Sequence, residues 1–210
     1  MEQSTYRRAI TEYIRSNAKP PDKFSHQARL YRLAQQLAED KAYDDDVLYA
    51  AAWMHDLGVF VGHRPQDPVA LAHWDNVAYA INETPRLLRQ FGFPEAKLPH
   101  VLEVIRTHLP SATPDSFEGI LLRDADILEQ LGATGILRVV SKIGRDTRFT
   151  VFGDALRALQ KNAQELPPKL RLDSARRQAE GRLRILRDFL AAAFAELSEL
   201  ENECDGNQLS

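Results

Sequence analysis

Apolar residues recur at intervals of three and four almost from one end of this chain to the other, and that regularity confines it to a helical fold. Residues 3–17 form a first short amphipathic helix, closed by Asn17 and the Pro20-Pro21 pair. A second opens near Ser25 and runs to about Glu39, with Leu30, Leu33 and Leu37 on one face. The acidic run Asp44-Asp45-Asp46 suits the positive end of a third helix, which Gly58 terminates. Residues 59–68 form a loop, and helical spacing then holds from Val69 to Phe91, with Thr84-Pro85 either kinking that helix or opening a new one. Further helices are expected from Pro94 to His108, Phe117 to Leu131, beyond Gly135, over 153–165 and from Asp173 to Leu200. No strand pattern and no repeat interrupts the series. The expected fold is all-α, a bundle of eight or nine helices.

Composition narrows the classes of function. No run approaches the roughly 18 apolar residues that a membrane span needs, so no membrane partner is expected. A net charge of −3 offers no electrostatic reason to expect nucleic acid. The single cysteine, Cys204, excludes an internal disulfide, and the N-terminus lacks the apolar core of a signal peptide. A cytoplasmic protein is the expectation.

Histidines on apolar helix faces carry the chemistry. His26 shares a face with Leu30, Leu33 and Leu37; His55 shares one with Leu48, Ala51 and Ala52; His108 ends the stripe of Leu98, Val101, Leu102 and Ile105. A buried histidine must satisfy both ring nitrogens, and a metal satisfies one of them. Any one of the three, taken alone, reads as a core histidine bonded to a backbone carbonyl. Three on separate core-facing stripes, one followed directly by Asp56, point to a shared site. Asp124 and Asp126 lie in the apolar segment ILLRDADILEQL, where a buried carboxylate needs a metal, a cation such as Arg123 or Arg138, or several donors. This mixture of nitrogen and oxygen donors suits a borderline divalent metal.

The order His26, then His55-Asp56 closing AAWMHDLG, then LLRDADILEQLGATGILR, resembles the H…HD…D signature of the HD superfamily of metal-dependent phosphohydrolases, especially its small bacterial members. The likeness runs from about residue 24 to 140, with weaker echoes in the last helix. It implies a single HD-type helical domain over 1–210, with the metal-binding core over 24–140 and a helical extension over about 150–202. It implies a divalent ion (Mn, Fe, Co, Ni, Zn or Mg) held by His26, His55, Asp56 and Asp126. On the helical wheel, however, Asp124 falls in the stripe of Phe117, Ile120, Leu121 and Leu128, with Asp126 nearly opposite. Periodicity therefore selects Asp124 as the inward residue and the resemblance selects Asp126. The expected assignment is Asp126 as ligand, with Asp56, Asp124 and His108 serving catalysis.

His73, His108, Arg123 and Arg138 are candidates for a second metal or for substrate. His63 is a softer candidate, and HD-x-G is followed here by Val59 where many HD relatives carry lysine. The activity implied is hydrolysis of a small phosphate ester, such as a nucleotide, by a metal-activated water, and a homodimer is admissible. Two alternatives stay open. One is an HD-fold di-iron oxygenase that uses His73 and His108. The other is a non-catalytic, metal-stabilised interaction protein whose last helix serves as the contact surface.

Overall fold

A computed structural model describes residues 5–146 and 148–206. Among the described residues the protein is all-α, with ten helices and no strand. It divides into two compact units, one through Asp126 and one from Ile127.

The first unit contains α1 (Thr5–Asn17), α2 (Asp22–Ala38), α3 (Asp45–Met54), α4 (Pro68–Ala72), α5 (Asn76–Gln90), α6 (Leu98–Thr107) and most of α7 (Phe117–Glu129). The organising element is α3. Every residue from Val47 to Met54 is buried, and the helix packs against α1, α2 and α6. Such an all-round apolar helix must be central, because no face of it suits water. Its start is set by the acidic run. The Asp44 carboxylate accepts the amide N–H groups of Asp46 at 3.1 Å and Val47 at 3.2 Å. Lys97 donates to Asp44 and to Asp46, each at 2.8 Å, and Arg7 donates to Asp46 at 2.7 Å. Burial alone would raise the pKa of Asp46. Hydrogen bonds from Lys97, Tyr6 and Arg7 outweigh that and hold its carboxyl well below the usual range.

The helix expected over Val69–Phe91 is two helices. It breaks at His73–Asp75, and the Asp75 side chain accepts the amides of Val77 at 3.0 Å and Ala78 at 2.9 Å. A free carboxylate acceptor beside exposed amides makes a new N-terminus cheaper than a continuous helix. Pro85, by contrast, neither ends nor opens a helix: α5 runs through it to Gln90. The extra break accounts for ten helices where eight or nine were expected. Of the first expected helix, residues 3 and 4 lie outside the described residues.

The second unit holds α8 (Gly132–Val140), α9 (Phe152–Glu165) and α10 (Asp173–Gly206), each packed against the other two. Gly132 has φ +66°, and a side-chain carbon there would fall 3.0 Å from Cβ of Arg182. Only glycine combines that backbone with so close an approach. Arg182 donates to the Leu128 carbonyl at 2.9 Å, so the glycine lets α10 close over the turn into α8.

Candidate metal centre

Three elements of the first unit deliver the site. His26 comes from the first half of α2, His55 from the C-terminal cap of α3 and Asp56 from the residue after it. The chain turns sharply at this point through a short 3₁₀ segment, Leu57–Val59. Gly58 allows that turn to seat against the start of α5: a side-chain carbon at this position would lie 2.6 Å from Cα of Asn76. The Gly58 carbonyl accepts the indole N–H of Trp74 at 2.8 Å. The glycine of the HDLG phrase is therefore a packing requirement that fixes where Asp56 points.

His26, His55 and Asp56 each offer a ligand atom, and these atoms all lie within 4.8 Å of one another. Nε2 of His55 is 3.6 Å from Oδ1 of Asp56, and Nε2 of His26 is 3.8 Å from Oδ2. Asp126 joins from α7, its Oδ1 3.7 Å from Nε2 of His26. These separations are too long for ordinary hydrogen bonds and suit donors gathered around a common centre.

The protonation pattern is consistent with this. Nδ1 of His55 lies 2.9 Å from the Ala52 carbonyl, which can only accept, so Nδ1 carries the proton and Nε2 keeps its lone pair. Burial pushes the His55 pKa down to about 4; the carboxylates of Asp56 and Asp126 oppose that shift, and His108 and His26 reinforce it. His55 is thus a neutral imidazole at neutral pH, the form that binds metal. His108, at the end of α6, is built the same way: Nδ1 donates to the Ile105 carbonyl at 2.6 Å, and its ring meets the edge of His55 with centroids 5.0 Å apart. The ring centroids of His26 and His55 are 5.5 Å apart. Two imidazole donors and two carboxylates, all buried or nearly so, fit a divalent ion by their chemistry as well as by their spacing.

The two aspartates of α7 are both buried, which resolves how wheel and resemblance can differ. Every residue from Leu121 to Glu129 is buried, so this helix has no outward face and its wheel carries no information about which carboxylate turns inward. Asp126 is the one brought to His26. Asp124, with no exposed surface, lies 3.4 Å from Nη1 of Arg123, whose Nη2 donates to the Pro110 carbonyl at 3.0 Å.

Other candidates have different surroundings. His73 is an exposed cap at the end of α4. Arg138 belongs to the second unit, where its guanidinium meets the backbone carbonyl of Glu129 at 3.4 Å and the carboxylate at 3.7 Å. His63 donates through Nδ1 to the Leu57 carbonyl at 2.9 Å and packs between Phe60 and Tyr79. One residue escaped the sequence reading: Lys23, whose Nζ lies 3.4 Å from Oδ2 of Asp56. Its only signal was its place one turn before His26, where a lysine ordinarily reads as a solvated residue.

The family model described as HD domain matches residues 24–131, more than half of the chain. The chain belongs to the HD-domain family. Among solved structures, it is similar to Bacillus subtilis YpgQ, at 22% identity and TM-score 0.71, over 93% of this chain and 97% of that one. It is also similar to a predicted HD-superfamily hydrolase from an uncultured Thermotogales bacterium, at 26% identity and TM-score 0.61, over 90% and 92% of the two chains. An HD-superfamily hydrolase from Bacillus thuringiensis aligns at 20% identity and TM-score 0.66, over 94% and 99%. No curated protein matches.

Proposed function

We propose that the protein is a metal-dependent phosphohydrolase acting on a small phosphate ester, with nucleotides the first class to test. The observation that carries this reading is the buried set of His26, His55 and Asp56, with Asp126 brought against it, in a chain of the HD-domain family. YpgQ of Bacillus subtilis, which shares the fold, has been crystallised in complex with ADP, which directs attention to nucleotides.

His26, His55, Asp56 and Asp126 would hold the ion. A divalent metal there would supply water activation near neutral pH and a Lewis acid for a phosphoryl oxygen. The rest of the work falls to the chain. Asp56, which with Asp126 is more exposed than the two histidines, turns one carboxylate oxygen towards each histidine, which suits it to orient an attacking water. His108, its Nδ1 held by the Ile105 carbonyl and its ring against that of His55, would accept the proton that an attacking water gives up. Asp124 acts from behind by holding Arg123 in a buried pair. An oxygenase with two irons would recruit His73, and its exposed place on α4 favours the hydrolase.

The test is phosphate release from a panel of phosphate esters by protein loaded with Mn, Co or Ni. The expected result is turnover of at least one ester that His55→Ala and Asp126→Ala abolish. Absence of release across the panel by well-folded, metal-loaded protein would remove this reading.

A further inference from the structure

As metal ligands, two imidazoles are neutral and two carboxylates together carry −2, which a divalent ion offsets. Beyond the ion's own pull on one phosphoryl oxygen, such a centre has little net charge to draw in an anion, so a cationic group beside the ligands would add to phosphate binding. Arg123 lies close in sequence, but its guanidinium is engaged by the Asp124 carboxylate and the Pro110 carbonyl in the interior, with 6% of its side chain exposed. Lys23 is differently placed. It stands three residues before His26 on α2, so the two side chains project from the same side of the helix. Its ammonium reaches Oδ2 of Asp56 at 3.4 Å. Its side chain is 27% exposed against 2% for His26, which sets the ammonium at the solvent edge of a buried cluster. A carboxylate offers about four lone-pair sites, so Asp56 can serve both a metal and Lys23. A lysine carries three donors, and one held by Asp56 leaves others for a second acceptor.

We propose that Lys23 is the anion-binding residue of this site, contacting a non-bridging oxygen of the substrate phosphate and giving the metal-loaded centre the single positive charge that favours a terminal, dianionic phosphate over a diester. This rests on the reading of the site as a metal-dependent phosphohydrolase and adds to it a residue and a substrate preference.

Calorimetric titration of Mn-loaded protein with inorganic phosphate tests it without reference to turnover, alongside Mn titration of the metal-free protein. Loss of a charge-assisted hydrogen bond should weaken phosphate binding roughly tenfold or more in Lys23→Met, while Mn affinity holds within a few-fold. Lys23→Arg should recover most of the phosphate affinity. Equal phosphate affinity in Lys23→Met and the parent protein would overturn the proposal while leaving the metal centre intact. So would a Lys23→Met variant whose Mn affinity collapses, since the lysine would then only brace Asp56. A parent protein that binds no Mn would overturn this inference and the hydrolase reading together. A parent that binds Mn but no phosphate would overturn this inference alone.

Discussion

At the scale of single residues, the centre depends on where each proton sits. The Ala52 and Ile105 carbonyls fix the tautomers of His55 and His108, and burial keeps His55 uncharged. A ligand prepared in this way should be difficult to replace. His55→Ala is expected to weaken divalent-metal affinity at least 100-fold, since loss of even an outer-shell partner typically costs about 10–100-fold; calorimetric titration with Mn reads this directly. His26 and His55 were legible in the sequence because each interrupts an apolar helical stripe with a group that burial penalises, and Asp56 because it follows His55 directly. Asp126 was not legible from periodicity, because α7 is buried on all sides and both carboxylates are inside. Lys23 was not legible at all. A lysine in the first turn of a helix looks the same whether it faces water or a carboxylate from another helix, and only the fold brings Asp56 to it.

At the scale of elements, two local devices position the site and make separable predictions. The turn after Asp56 requires Gly58, because any side chain would collide with the backbone of Asn76. Gly58→Ala is expected to destabilise the protein by about 1–3 kcal/mol or more in chemical denaturation, by forced overpacking, and to lower metal affinity as Asp56 shifts. Asp75 caps α5 on the far side of that contact. Asp75→Ala should cost about 1 kcal/mol of stability, the ordinary worth of such a cap. Metal affinity should change far less than in Gly58→Ala, because the cap bonds go to the amides of Val77 and Ala78 and to none of the four ligands. The break between α4 and α5 escaped the periodicity because apolar residues on both sides of His73–Asp75 stay in helical phase. The Asp-Asn pair at its end was the available signal, and it specifies a cap only once the amides of Val77 and Ala78 are exposed to it.

At the scale of the whole molecule, acid sensitivity should trace to the network around the start of α3. Asp44 and Asp46 both have carboxyls held below the ordinary range, with burial opposed and outweighed by Lys97 and by their other hydrogen-bond donors. For carboxyls whose folded-state pKa is depressed, the stabilisation is complete above the unfolded value of about 3.9 and is lost as pH falls through the folded-state range. Removing the lysine in Lys97→Met raises those folded-state values, so its stability should exceed that of the parent at no pH and the difference should shrink towards strongly acid solution. Denaturation midpoints measured from pH 7 down to pH 2 check the sign. Helical class and the order of the helices were legible at this scale, because spacing alone carries them. The division at Asp126 falls inside α7, and neither Gly119 nor the polar residues of Arg123-Asp124-Ala125-Asp126 interrupt that helix.

The central claim is that His26, His55, Asp56 and Asp126 form one divalent-metal centre. It is tested most directly by metal stoichiometry after equilibration with Mn, measured on the parent protein and on His55→Ala and Asp126→Ala. The account predicts tightly held metal in the parent, with thermal stability rising as the logarithm of free Mn above its Kd, and both effects lost in the two variants. Parent protein that retains no metal, or variants that retain it undiminished, would contradict it.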